Sequence, residues 1–270
     1  MLADTHCHLD FENFNQDRES VIDRARQEGL FWILNPGINV SNSRGVVKLA
    51  DAYPEIYAAV GVHPNDAMHW EESMIDELSE LSRHKKVVAI GEIGLDYYRD
   101  RTPRDLQRRI LRQQLELAAE TSLPVIIHLR NRSLEEQSAT LDLLTILVEW
   151  CSDLLSSNSI LVDFPGVLHS FSGNLISANQ VLDLNFYIGI SGPVTFRKAE
   201  STREVAAIIP IEKLLVETDA PFLTPHPHRS KRNEPALVNL VADEISSLRQ
   251  LPREKIAEVT SENARQLFRW

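Results

Sequence analysis

Glycine is scarce in this 270-residue chain, at 10 residues, and neither a Gly-Lys pair nor a Gly-x-Gly triplet occurs. That excludes a P-loop and a dinucleotide fingerprint, which both need glycine-lined backbone around phosphate. Cysteine is scarcer still, and Cys7 and Cys151 alone cannot build a disulfide framework. No apolar run approaches the ~18 residues of a membrane span. The start Met1-Leu2-Ala3-Asp4 lacks the basic and apolar regions of a signal peptide. The expectation is a cytoplasmic protein with no membrane partner. Positive charge is also in deficit, 28 Lys and Arg against 39 Asp and Glu, for a formal charge of -11. A nonspecific nucleic-acid coat would show the opposite balance. What is present is a globular composition, 43% hydrophobic and 25% charged, which rules out disorder and supplies a core.

Short, β-branched apolar runs recur with helical stretches between them. Strands are expected near 2–8, 31–37, 56–63, 87–92, 124–129, 166–171, 186–191 and 214–219. Most are separated by about thirty residues, the length of a strand plus its return helix. Eight such units in one chain of this size predict a parallel sheet closed into an α/β fold of the (β/α)8 TIM-barrel type. Segment 103–120 begins after Thr102 with Pro103 at its first position, and places Leu106, Ile110, Leu111, Leu115 and Ala118 at helical spacing. Segment 235–249 repeats that pattern. The widest interval, 130–165, is expected to hold a helix near 134–156. With no linker or internal repeat, residues 1–270 are assigned to a single barrel domain.

Barrels of this kind build their sites at the C-terminal strand ends. Those ends carry His6, His8, His63, Glu92, His128, His169 and Asp219, so five of the nine histidines crowd one rim. His6 and His8 are two apart and share a face, with Cys7 directed to the helical layer. Imidazole and carboxylate are ligands for Zn²⁺, Mn²⁺ and related ions. Four histidines and two carboxylates exceed the needs of one tetrahedral ion. They suit two, with His6, His8 and Asp219 on one, His128 and His169 on the other, and Glu92 between. Two divalent ions bring four positive charges and the carboxylates return two, leaving room for a hydroxide and one anionic oxygen of a phosphodiester. Asp4 is read as steadying the first loop or a ligand histidine. Glu217, which shares the inward face of Asp219, is open between a partner of the site and a structural ion pair.

Several runs then resemble the TatD family of metal-dependent deoxyribonucleases: Asp4-Thr5-His6-Cys7-His8, Gly61-Val62-His63-Pro64, Gly91-Glu92-Ile93-Gly94-Leu95-Asp96-Tyr97 and Pro124-Val125-Ile126-Ile127-His128. His169-Ser170-Phe171-Ser172-Gly173, Glu217-Thr218-Asp219-Ala220-Pro221 and Arg232-Asn233-Glu234-Pro235 complete the series. The resemblance implies an amidohydrolase-type barrel and a divalent-metal-dependent nuclease using Mg²⁺, Mn²⁺ or Zn²⁺. By motif position it implies His6, His8, Glu92, His128, His169 and Asp219 as metal ligands. Asp219 and Glu92 would be the catalytic carboxylates, Asp219 as general base, and His63 would lie beside the scissile phosphate. It also adds DNA as substrate, taken as single-stranded ends by an exonuclease. The chain departs from the family pattern at Leu129-Arg130-Asn131, in the length of 130–165 and at Arg229-Ser230-Lys231.

Local charge reconciles an acidic protein with DNA. Residues 99–112 hold six arginines against two aspartates, and 226–232 form a second basic loop, whereas 71–80 hold five acids on an expected outer face. Arg99, Arg101, Arg229 and Arg232 are the candidate phosphate contacts, while Arg108, Arg109 and Arg112 are read as a solvated helix face. Tyr97, Tyr98 and Phe222 are candidates for base stacking. The alternative reading is a metal-dependent hydrolase of amide or ester bonds in a small molecule or an aminoacyl-tRNA, since the fold hosts both chemistries. Against it, many amidohydrolases bridge their metals with a modified lysine on strand four, where this chain has Glu92. A non-catalytic metal-binding scaffold is a third reading, disfavoured by the complete ligand set.

Overall fold

The β-branched runs form parallel strands that are buried on both faces, which is why they read as near-continuous apolar segments. The computed structural model describes residues 2–133 and 136–270. Among these, eight strands form one sheet: β1 (Leu2–Asp4), β2 (Leu30–Pro36), β3 (Ile56–Val60), β4 (Val87–Asp96), β5 (Val125–Arg130), β6 (Gly166–Leu168), β7 (Tyr187–Ile190) and β8 (Leu214–Val216). Their spatial order is their chain order, and every neighbouring pair is parallel. The Thr5 N–H donates to the Val216 carbonyl at 3.2 Å and the Asp219 N–H to the His6 carbonyl at 2.8 Å, joining β8 back to β1. The fold is a (β/α)8 TIM barrel.

Helix Arg104–Thr121 starts directly after Pro103 and buries Ile110, Leu111, Leu115 and Ala118 against the sheet. The expected helix at 235–249 opens as a tight turn, Pro235–Leu237, and becomes α-helical over Val238–Arg249. The helix expected at 134–156 runs Ser138–Ser156, and its expected first residues, Leu134 and Glu135, lie outside the described residues. Among the described residues no helix is long and apolar enough to cross a membrane. Cys7 and Cys151 are both free thiols.

Two apolar clusters hold the barrel. One fills the shell between strands and helices and includes Cys7, Ile33, Ile90, Leu115 and Ile256. The other fills the barrel interior with Ala3, Leu34, Ala59, Ile126, Val167, Tyr187 and Leu215, and is closed at the N-terminal strand ends by Leu267 and Phe268. Trp270 stacks there on Trp32, ring centres 6.2 Å apart.

Several strands end sooner than their sequence pattern predicts, and two buried carboxylates account for it. Asp4 Oδ1 accepts the N–H of Thr218 at 2.9 Å and of His6 at 3.3 Å, while its Oδ2 accepts the Thr218 hydroxyl at 2.6 Å. Glu217 Oε1 accepts the N–H of Ser170. These side chains take donors that a longer ladder would have used, so β1, β6 and β8 stop at Asp4, Leu168 and Val216. The chain beyond is released to aim His6, His8, His169 and Asp219 inward.

Candidate active site

The inward rows of the strands converge at the C-terminal mouth. His128 stands two residues after Ile126 on β5 and shares its inward face, while His169 and Asp219 lie just past the last residues of β6 and β8. Glu92 sits within the ten-residue β4 rather than at its end. Its neighbour Gly94 (φ 143°) has no room for a side chain, since a Cβ there would strike the His128 carbonyl. That close approach brings β4 and β5 together where Glu92 and His128 must meet.

Glu92 lies between two pairs of histidines. Its Oε2 is 3.5 Å from His6 Nε2 and 3.6 Å from His8 Nε2. Its Oε1 is 2.8 Å from His128 Nδ1 and 2.9 Å from His169 Nε2. Asp219 Oδ1 completes the first group at 3.7 Å from both His6 and His8 Nε2, which are themselves 3.2 Å apart. The five distances among these donors lie between 3.2 and 3.7 Å, close enough for them to share one cation. In the second group His128 Nδ1 and His169 Nε2 are 3.2 Å apart. Ring nitrogens facing one another beside carboxylate oxygens, buried or nearly so, suit a cation between them. The donor set therefore fits divalent metal.

Protonation follows the same geometry. Burial, with His169 close by, holds His6 well below the usual imidazole range, and burial lowers His8 and His169 as well. Neutral imidazole is the form that ligates metal. Burial also pulls on His128, but Asp96 and Glu92 overcome it and raise His128 to about 9. Burial alone would raise Glu92, yet the surrounding histidines hold it well below the carboxylate range. Asp219 goes the other way, pushed well up by burial and by Glu92. Two carboxylates in one site thus have affinities for protons driven apart.

The profile of the family described as TatD related DNase matches residues 3–269. The chain belongs to that family. It is 43% identical over 269 residues to a protein of Bacillus subtilis called an uncharacterized metal-dependent hydrolase, YabD, covering 100% of this chain and 99% of the relative. It is 36% identical over 274 residues to the 3'-5' ssDNA/RNA exonuclease TatD of Salmonella typhimurium, covering 99% and 98%. Among solved structures, the TatD homologue YjjV of Escherichia coli superposes with a TM-score of 0.89 at 34% identity, covering 100% of this chain and 98% of the other.

Within this TatD-related barrel, His63 differs from the other rim histidines. Its Nδ1 accepts the Asn65 N–H at 3.0 Å, so the neutral ring carries its proton on Nε2, which lies 3.4 Å from Glu92 Oε1. It faces the site as a donor. Arg99 and Arg101 line a mouth of about 800 Å³ together with His8, His63, Glu92, His128, His169 and Asp219. Arg229 and Arg232 do not line it. Arg229 lies 3.9 Å over the Phe196 ring, and Arg232 is held by Asp17 through two hydrogen bonds of 2.9 and 2.7 Å. Arg108 and Arg112 reach across to Asp142 and Glu149 on the next helix.

Of the aromatic candidates, Tyr97 is buried, with its hydroxyl donating to Asp142 at 2.6 Å, and is closed to a base. Tyr98 is 57% exposed and carries Arg130 at 4.1 Å over its ring, and Phe222 is 49% exposed at the mouth. Asp4 and Glu217 are both fully buried. Asp4, its carboxyl pushed up to about 7 by burial, buckles β1 to β8. Glu217 Oε1 stands 3.8 Å behind His169 Nδ1.

Asp96 is a site residue that the sequence reading does not single out. Its Oδ2 lies 3.5 Å from His128 Nε2 and accepts the Asn65 amide at 2.8 Å, while Oδ1 accepts the N–H of Tyr98 and Arg99 at 3.0 and 2.9 Å. It orients the imidazole from behind and holds down the start of the arginine loop. The available signal was an aspartate closing a run of apolar and glycine residues, a place where a carboxylate must be buried and partnered.

Proposed function

We propose that this protein hydrolyses phosphodiester bonds of single-stranded DNA from an end, through a water activated by two divalent ions, Mg²⁺, Mn²⁺ or Zn²⁺. Membership of the TatD-related family makes it a metal-dependent hydrolase, and a relative of 36% identity carries the name of a ssDNA/RNA exonuclease. The observation that carries the proposal is Glu92, whose two oxygens address two different histidine pairs beside arginines that line the same mouth.

In this reading His6, His8 and Asp219 would hold one ion and His128 and His169 the other, with Glu92 between the two groups. Such ions, when bound, would make a water more acidic and would offset negative charge on the phosphoryl oxygens. With Asp219 Oδ1 directed to His6 and His8, its other carboxylate oxygen would take the proton of the attacking water. His63 donates from Nε2 to a non-bridging phosphate oxygen. Arg99 and Arg101 hold the adjacent phosphate, and Tyr98 and Phe222 offer ring faces to the terminal bases.

The test is an assay on 3′- and 5′-labelled single and double strands with each metal and with chelator. The expected result is metal-dependent release of nucleotides from single strands and none in chelator. Turnover of an amide or ester without release from any strand would replace this reading with the alternative hydrolase.

A further inference from the structure

The acidic protein leaves a second set of cations unneutralised beside the mouth. A groove of about 1070 Å³ lies between the loop after β7 and the loop after β8, lined by Phe196, Arg197, Lys198, Arg203, His226 and Arg229. It borders the catalytic mouth: Pro193 and Thr202 line the mouth, while Thr195 and Arg203, on the same loop and the helix Glu200–Ile208 that follows it, line the groove. The His226 N–H donates to Thr195 Oγ1 at 2.8 Å, tying the two loops into one wall.

Several arginines elsewhere on this chain are paired, as Arg24 is with Glu234, Arg26 with Glu55 and Arg232 with Asp17. In the groove the one lining acid, Glu244, is taken by Arg203. Arg197, Lys198 and Arg229 are exposed, and among the described residues none of them has a carboxylate partner. Arg229 lies flat on Phe196 at 3.9 Å, which fixes its guanidinium without discharging it. Three exposed cations without a carboxylate partner, one of them over an aromatic ring, in a protein of formal charge -11 suit a polyanion.

We propose that this groove binds the phosphates of the body of a single strand whose end occupies the mouth. The proposal rests on the nuclease reading and adds to it a direction. Arg99 and Arg101 follow β4, while the groove lies beside β7 and β8, on the other side of the eight-strand ring. A strand engaged at its end by the β4 side therefore leaves over the β7–β8 side.

The experiment compares the wild-type protein with the doubly substituted Arg197→Gln, Lys198→Gln protein, with Mn²⁺ present. Kinetics are measured on a dinucleotide and on a ~20-nucleotide single strand, and binding of a phosphorothioate version of the long strand is followed by fluorescence anisotropy over a salt series. For the variant the expected result is a KM on the long strand raised ~10-fold with kcat unchanged, unchanged dinucleotide kinetics, and a salt slope smaller by ~1.4. Equal KM and equal salt slope for the two proteins on the long strand overturn the groove and leave the nuclease reading standing. An equal loss on both substrates also overturns it, because the groove would then act on the scissile end. Failure of the wild type to cut or bind either strand overturns both readings.

Discussion

The two ends of the barrel interior are built from the same inward rows by opposite physics. Along β5, β6 and β8 the rows begin with Ile126, Val167 and Leu215 and continue into His128, His169, and Glu217 with Asp219. Both ends bury side chains fully, as Leu215 and Glu217 show. At the lower end burial is itself the driving force, worth roughly 25 cal/mol per Å² of apolar surface. At the upper end it is a cost, visible in the raised affinity of Asp4, Glu217 and Asp219 for protons. One end stabilises the fold and the other stores chemistry for a cation to release. Substitutions at the two ends should therefore separate stability from activity.

The largest effect is expected from Asp219→Asn, which removes the proposed proton acceptor and should lower kcat about 10³-fold while thermal denaturation stays close to wild type. Rates near wild type would remove Asp219 from its role. At the other end Phe268→Ala should cost about 3–5 kcal/mol in chemical denaturation, with kcat of the folded enzyme unchanged. A parallel loss of kcat would mean that the two ends are coupled.

Asp96→Asn should lower metal affinity ~10–100-fold, read by competition with a chromophoric chelator, with little change in folding. An unchanged affinity would assign Asp96 to the arginine loop alone. Asp4→Asn tests the cost of the polar end through pH. A carboxyl raised to about 7 on folding contributes stability that is full below its unfolded value near 4 and is lost as pH rises through 7. Metal-free wild type should thus lose more stability between pH 5 and 8 than Asp4→Asn, in denaturant titrations with chelator. Glu217 and Asp219 act in the same direction and keep part of the slope in both proteins. The smallest effect is expected from Arg232→Gln. Its pairing with Asp17 is partly exposed, so stability should change by less than ~1 kcal/mol and KM for single strands should not move. A raised KM would bring Arg232 back to the substrate.

The strand-and-helix alternation and the crowding of histidines at strand ends were legible because both are local patterns. A period of two puts Ile126 and His128 on one face whatever surrounds them, and a run of β-branched residues is a strand in any buried sheet. Asp96 was not legible as a support of His128, because its partners come from a helix turn near Asn65 and from the next strand. Arg229 and Arg232 stand in the same basic loop, yet one lies on a ring beside the mouth and the other is bound to Asp17, a residue more than two hundred positions away. Tyr97 and Tyr98 are neighbours with opposite fates for the same reason.

By itself the sequence determined the barrel, the rim and the residue types able to hold metal, since periodicity and side-chain chemistry are carried by short segments. Tertiary structure alone decided that Glu92 turns one oxygen to each histidine pair, that His63 presents a proton rather than a lone pair, and which arginines remain free. Those outcomes depend on distances between segments far apart in the chain, and only closure of β8 onto β1 brings those segments together.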